Sequence, residues 1–351
     1  MDQGGGGRAA WSLSVWFRSD WHDRRVTTTI RRGRTLARAV AAGFGLGALP
    51  VVALDVFPEL QPTSPVATVV ACGIPYVPIP LAAMCAGLAV ASVSRGRRML
   101  WATAAGAVLV GGLRDRFVAP ASVEPPPRDR RLTVLSANVL FGRADPRHIV
   151  DLAQGVDVVA IQENTPRFDE ALHAILAADF PYQLGTSTED ASGTMLWSRT
   201  PLEHGGTGDT RFTSVVATTT VRGVQWTVAN VHPSPPQMGS RQWARDAQRV
   251  LDLVRSHLGE KLVVVGDFNA IEEHLTMRRF AAAGFSNAMS GSPSAGAAAW
   301  QPSWPAKHAW ALPLIRIDHA LHSGPVQAWR PRYTRVRGSD HKALVAVFRA
   351  L

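Results

Sequence analysis

Acidic, amide and imidazole side chains stand at the ends of apolar runs throughout the C-terminal part of this chain. Asn138 follows Val134–Ala137, Glu163 follows Val158–Ile161, His232 follows Val228–Val231, and Asp267 and Asn269 follow Val263–Gly266. Asp318 lies within Arg316–Leu321, and Asp340 and His341 come just before Ala343–Phe348. Residues at strand ends project from a sheet edge, where loops on a rigid scaffold carry binding and catalysis. The set is therefore expected to meet in one mouth, with the residue types that hold cations and move protons. Each alone has a plainer reading. Asn138 suits an Asx-turn, Glu163 a helix cap, His232 before Pro233 a surface turn, Asp318 an ion pair with Arg316, and Gly266–Asn269 a tight turn. Their recurrence after nearly every strand favours the shared site. No Ser or Cys nucleophile motif accompanies them, which argues for direct attack by water.

The elements that must carry these residues alternate. Leu132–Ala137, Val156–Ile161, Thr194–Trp197, Ser214–Val221, Val224–Val231, Lys261–Val265, Ile317–Leu321 and Leu344–Phe348 read as strands. Val156–Ile161 has the continuous apolar, β-branched character of a strand buried on both faces. His148–Gln154 and Arg167–Ala178 have helical spacing, and Ser240–Leu258 is amphipathic, with Trp243, Ala247, Val250, Leu251 and Val254 on one side. The expectation is an α/β (α+β) four-layer sandwich of two packed β-sheets flanked by helices.

The motifs Ser136-Ala137-Asn138-Val139, Ile161-Gln162-Glu163, Asn230-Val231-His232 with Arg245-Asp246-Ala247-Gln248, Gly266-Asp267-Phe268-Asn269, Ile317-Asp318-His319-Ala320-Leu321 and Gly338-Ser339-Asp340-His341 occur in this order. As a set, over residues 131–351, they resemble the endonuclease/exonuclease/phosphatase superfamily and its DNase I-like fold. The resemblance implies a metal-dependent phosphoric ester or diphosphate hydrolase using Mg²⁺ or Mn²⁺. Glu163 resembles the main metal ligand, helped by Asn138 and Asp340; hard cations prefer such oxygens. His341 resembles the imidazole at the scissile phosphate, with Asp318 fixing its tautomer. Asp267 resembles the group that activates water, Asn269 a donor to a phosphate oxygen, and His232 a second such donor or the acid at the leaving oxygen.

The first third lies outside that resemblance. Residues 36–113 are strongly apolar, while residues 131–351 have ordinary soluble character. Residues 1–38 form a basic cytoplasmic lead-in, and 39–113 are expected to cross the membrane about three times. The runs are Ala39–Val56, Val66–Val93 interrupted by Pro75, Pro78 and Pro80, and Met99–Leu113. Arginines before the first run and at Arg95, Arg97 and Arg98 place those segments inside. Three spans put the C-terminal domain outside the plasma membrane; a two-span hairpin returns it to the cytoplasm. Residues 114–130, with Pro120 and Pro125–Pro127, are expected to be a stiff linker.

Net charge is +10, with Lys only at 261, 307 and 342. Much of the excess flanks the apolar runs, so it reads as topology rather than nucleic-acid binding. The two cysteines, Cys72 and Cys85, exclude a disulfide framework or thiolate metal site in the C-terminal half. An anchored domain of this kind resembles membrane proteins of VanJ type associated with glycopeptide resistance, which implies a lipid-linked phosphate such as undecaprenyl diphosphate. Trp300, Trp304 and Trp310 suit an interfacial lip or simple packing of a long loop. Arg330, Arg332, Arg335 and Arg337 form a basic strip. The alternatives are a metal-dependent nuclease and a non-catalytic membrane sensor of the same fold.

Overall fold

The computed structural model describes residues 12–117, 127–291, 301–307 and 314–351. Pro120, Pro125, Pro126, Trp300 and Trp310 lie outside them. The chain forms two compact units, one of Met1–Val52 with Tyr76–Leu113, the other of Ala53–Pro75 with Arg114–Leu351.

The first unit is helical. Helix α1 is Ser12–Val56, α3 is Pro78–Ala91 and α4 is Arg95–Phe117. Small residues let these helices approach: a side chain on Gly87 would meet Ala41 and the Ala37 carbonyl, and one on Gly112 would meet Pro78. Thr27–Val56 is long and apolar enough to cross a membrane, and only 17% of its most apolar window is buried. The second apolar run is broken, as its prolines require: Pro65–Ala71 forms α2, which belongs to the other unit, and the helix restarts at Pro78. In α4 the uninterrupted apolar stretch, residues 99–113, falls short of the roughly 20 residues that a span needs.

The second unit is a sandwich. One six-stranded sheet has the order β11-β12-β1-β2-β4-β3 and the other β5-β6-β7-β8-β10-β9. The site-bearing strands are β1 (Arg131–Asn138), β2 (Val158–Gln162), β7 (Val224–Val231), β8 (Leu262–Asp267), β10 (Asp318–Ser323) and β12 (Lys342–Ala350). The pairs β1/β2 and β7/β8 are parallel, whereas β12 and β10 run antiparallel beside them. The C-terminal ends of four strands and the starts of two others thus share one edge.

Side-chain alternation assigns each residue a layer. Leu132, Val134, Val158, Ala160, Trp226, Val228, Val263 and Val265 fill the space between the sheets. Their odd-step neighbours Leu135, Val159 and Ile161 pack outward on α5 (Pro146–Leu152) and α6 (Pro166–Leu176). Ala229, Val231 and Val264 pack outward on α7 (Ser240–Arg255) and α8 (Leu275–Ala282). This is the expected four-layer arrangement. Carrying the inward register to the shared edge brings Asn138, His232, Asp267 and Asp318 to the mouth of the inter-sheet space. Gly266 permits this closeness: at φ +149, a Cβ there would lie 2.0 Å from the Val231 carbonyl oxygen of the adjacent strand.

Four strands were not legible from periodicity: β3 (Tyr182–Thr186), β5 (Glu203–Thr207), β9 (Ser286–Asn287) and β11 (Val326–Arg335). The first three are short, and β3, β5, β9 and β11 all lie at sheet edges; β3 and β5 bury neither face fully, so they have no fully buried positions to alternate. Strand β11 also contains Pro331, which sits at a register shift between Trp329 and Arg332, the kind of place where an edge strand tolerates proline.

Two buried histidines make folding acid-sensitive. Burial, the largest influence on each, pushes His274 and His319 down to about 4. Their depressed folded values mean that stability is complete above about pH 6.5 and is lost as pH falls towards 4. Each contributes on the order of 3 kcal/mol to that loss. Urea midpoints between pH 7 and 4 should drop steeply in the wild type and less steeply in His274→Gln. Parallel profiles for the two proteins would contradict this account.

Candidate active site

Asp267 is the hub of the mouth. Its Oδ2 accepts a hydrogen bond from Asn138 Nδ2 at 3.0 Å and lies 3.7 Å from the Nε2 atoms of both His232 and His341. Its Oδ1 accepts from the Asn269 backbone N–H at 2.8 Å. Asn269 holds a left-handed backbone, φ +49, and its amide donates to the Pro233 carbonyl at 3.1 Å. It therefore touches Asp267 through its main chain, while its side-chain nitrogen is spent on the neighbouring loop.

Asn138 ties both sheets together. Its Nδ2 also donates to Glu163 Oε1 at 3.0 Å, and its Oδ1 accepts from the Leu140 N–H, closing an Asx-turn. The turn and the shared site are thus compatible readings of one residue. Glu163 stands at φ +58, and its Oε2 accepts from the Phe141 N–H at 2.8 Å. Glu163, Asn269, Leu140 and Phe141 all have positive φ without being glycine. Such strain costs roughly 1–3 kcal/mol per residue, and persists where surrounding contacts over-determine it.

His341 Nδ1 faces Asp318, 3.0 Å from Oδ2. Asp318 is itself held by Tyr333, whose hydroxyl donates to the Asp318 carbonyl at 2.5 Å. Asp318, His341 and Asp267 lie within 4.8 Å of one another by their polar atoms. Because His341 Nδ1 is engaged by Asp318, this trio reads more naturally as an acid–imidazole–acid array than as a cation cage.

The charges separate the two imidazoles. Burial opposes a charge on His341, but Asp318 and then Asp267 outweigh it and raise its pKa to about 10. Burial dominates at His232 and lowers its pKa despite Asp267. His232 stacks at a tilt on Phe212, with ring centres 4.9 Å apart. Burial lifts Asp267 to about 6 against the opposing charge of His341. At neutral pH the mouth therefore holds an imidazolium at 341, a neutral imidazole at 232 and an ionised Asp267.

The cation question turns on the remaining carboxylates. Burial raises Glu163, and the nearby Asp340 charge adds to the rise. Asp340 Oδ1 is buried without a hydrogen bond, while its Oδ2 accepts from Trp304 Nε1 at 3.2 Å. Two neighbouring half-buried carboxylates, one with a buried, unsatisfied oxygen, fit a hard divalent cation. Asn138 Oδ1 accepts from Leu140 N–H and keeps a second lone pair, so ligation through it is compatible with that turn.

The eight residues singled out in the sequence lie at or beside this mouth, and a layer beneath them carried no such signal as a whole. Gln162 Nε2 donates to Asn230 Oδ1 at 2.6 Å and to Ser136 Oγ at 3.1 Å, while Asn230 Nδ2 donates to the Ile161 and Met195 carbonyls. Ser339 Oγ donates to the Asn138 carbonyl and accepts from the His341 N–H. Alternation signals Gln162 and Asn230, each two residues from a mouth position or aligned with one. Ser339 and Tyr333 carry no such signal. In the basic strip, Arg335 donates to the Ala306 carbonyl and Arg337 pairs with Asp145 at 3.2 Å.

A profile of the Endonuclease/Exonuclease/phosphatase family matches residues 135–341, more than half of the chain and every one of the eight residues. The chain belongs to this family. Its members are hydrolases acting on phosphoester bonds, and the fold agrees. Truncated Caenorhabditis elegans TDP2 superposes with a TM-score of 0.50 at 19% identity, covering 63% of this chain and 98% of that one. An endonuclease/exonuclease/phosphatase from Beutenbergia cavernae is 20% identical over 63% of this chain and 72% of its own, with a TM-score of 0.48. The mannosyl-6-phosphatase Bt3783 of Bacteroides thetaiotaomicron is 14% identical over 61% and 98%, with a TM-score of 0.49. Among curated protein sequences none matches significantly. The family match and the likeness to TDP2 agree on the fold, and the substrate is left to the site itself.

Proposed function

We propose that the chain is a membrane-anchored, divalent-metal-dependent phosphohydrolase whose substrate is a lipid-linked phosphate, with undecaprenyl diphosphate as the specific candidate. The observation that carries the hydrolase reading is the convergence of Asn138, Glu163, His232, Asp267, Asp318, Asp340 and His341 on one buried mouth. The membrane reading is supported by Thr27–Val56, apolar and largely exposed, where the core helix of a soluble protein would be covered. It is also supported by exposed Leu36, Val40, Phe44, Leu46 and Leu49 on that helix. The anchoring region then lies within residues 39–113, apart from Ala53–Pro75, which folds with the catalytic domain, and residues 131–351 carry the catalytic residues on the outer face. This arrangement is of VanJ type and accords with a role in glycopeptide resistance.

Glu163 and Asp340, with Asn138 beside them, would hold Mg²⁺ or Mn²⁺. When bound, the cation would neutralise charge on the phosphoryl oxygens. Asp267 Oδ2 takes a proton from water as its oxygen bonds to phosphorus in line. The bond to the leaving group breaks on the opposite side; a leaving phosphate departs as an anion and needs no proton. His341, as an imidazolium, donates from Nε2 to a non-bridging oxygen where charge builds. Neutral His232 serves as a hydrogen-bond donor to phosphate rather than an acid. Asn269 keeps Asp267 oriented.

Purified full-length protein with Mg²⁺ should release phosphate from a polyprenyl diphosphate and leave plasmid DNA and sphingomyelin intact. Glu163→Ala should lower that turnover by about a hundredfold or more, the scale of losing a key charge-organising group. Cleavage of DNA that Glu163→Ala abolishes would assign a nuclease instead. Silence on every substrate would favour a membrane sensor.

A further inference from the structure

The family match begins at residue 135, yet Ala53–Pro75 folds into the same compact unit as the catalytic domain. Its contacts are polar and buried. Gln61 is fully buried; its Nε2 donates to the carbonyls of Leu54 at 3.0 Å and Glu273 at 3.3 Å, and its Oε1 accepts from the Leu275 N–H at 2.6 Å. Leu275 opens α8, so Gln61 satisfies one of the N–H groups left free at that helix start. Thr68, also buried, donates to the Gln61 carbonyl at 2.9 Å and lies 3.2 Å from Ser240 Oγ at the start of α7. The Thr68 carbonyl lies 3.1 Å from His274 Nε2. On its other side, His274 Nδ1 accepts from the Ile271 N–H at 3.1 Å. An imidazole that accepts at Nδ1 must carry its proton at Nε2, so the ring donates to Thr68 and bridges the two segments. Asp55 pairs with Arg278 in α8.

These contacts end on the segment that follows Asp267. Ile271 lies two residues after Asn269, whose left-handed backbone supports Asp267 Oδ1, and Trp243 Nε1 donates to the Asn269 carbonyl at 3.1 Å. Trp243 in turn meets the His274 ring edge-on, centres 5.1 Å apart. A strained residue holds its conformation only where neighbours fix it. Trp243 and Pro233 touch Asn269 directly, and residues 61 and 68 hold the following His274–Leu275 turn against which Trp243 packs.

We propose that residues 54–72 are a brace for the catalytic loop, with Gln61, Thr68 and His274 as positioning residues that hold Asn269 and thereby Asp267. The functional domain then begins at this juxtamembrane segment rather than at β1. The consequence for turnover rests on the reading of Asp267 as the base; the consequence for loop order does not.

The test compares full-length wild type, Gln61→Leu and Leu172→Ala, the last cutting into the core on the opposite sheet beneath α6. Amide hydrogen exchange should rise about tenfold or more over residues 269–275 in Gln61→Leu, the scale of a buried hydrogen-bond partner lost. Strands β1, β2 and β4 (Thr194–Ser198) should keep wild-type exchange. With wild-type turnover in hand, kcat should fall about tenfold at unchanged KM in Gln61→Leu, while Leu172→Ala lowers the melting temperature and spares kcat. Exchange that is unaltered, or raised evenly across both sheets, overturns the brace. Should the wild type hydrolyse no phosphoester, the proposed function fails, and the exchange pattern still decides the brace.

Discussion

Asp267→Asn should reduce turnover by at least about a hundredfold while leaving the fold intact. The replacement keeps the size of the side chain, and Asn269 N–H can still donate to its oxygen. What is lost is the negative charge at the atom on which Asn138, His232 and His341 converge. Without it the mouth loses the carboxylate that faces both imidazoles and is placed to take the proton of water. The same residue sets the acidic side of the pH profile. With a pKa of about 6, Asp267 is protonated and unable to accept below that value, so kcat/KM should rise with pH through about 6. Steady-state rates from pH 5 to 8 on wild type and variant check both statements. A variant within a few-fold of wild type, or one that retains the rise, would remove Asp267 from the role of base.

Asp318→Asn should act at a distance of one side chain and on the opposite side of the profile. Asp318 is the nearer of the two carboxylates that outweigh burial at His341. With its charge removed, burial gains ground and the imidazole pKa falls from about 10. His341 is then less often protonated at neutral pH, and the tautomer that aims Nε2–H at the mouth loses its anchor. An orienting carboxylate of this kind is worth about a hundredfold to ten-thousandfold in turnover. The falling limb of activity should move from about pH 10 towards neutrality, and an NMR titration of His341 should show the same displacement. A variant that is slower yet keeps its alkaline limb would show that Asp318 supports the fold and does not hold the imidazolium.

How far the site could be read from residues alone differs from place to place. Asn138, Glu163, Asp267 and His341 follow or precede apolar runs whose two-residue alternation is local, so strand ends and facing direction are legible without coordinates. Tyr333 and Ser339 could not be found this way, because a hydroxyl in an edge strand or a turn looks the same whether or not it holds an active residue. The edge strand β11 read as a basic strip, since Pro331 and three arginines hide a ladder that only pairing with β12 reveals. The segment from Ala53 to Pro75 was expected to belong to the membrane region by hydropathy. Its apolar content cannot show that Gln61 and Thr68 are buried against the starts of α7 and α8.

The amino-acid sequence by itself determined the inner strands, the long helices and the polar residues at their ends, since burial period and chain termination are properties of neighbours along the backbone. Only the tertiary structure decided that His341 is charged while His232 is neutral, that Asn138 turns its nitrogen to two carboxylates, and that Gln61 and Thr68 are buried against the starts of α7 and α8. Those outcomes depend on distance and desolvation between residues up to some two hundred positions apart, and no local pattern encodes either quantity.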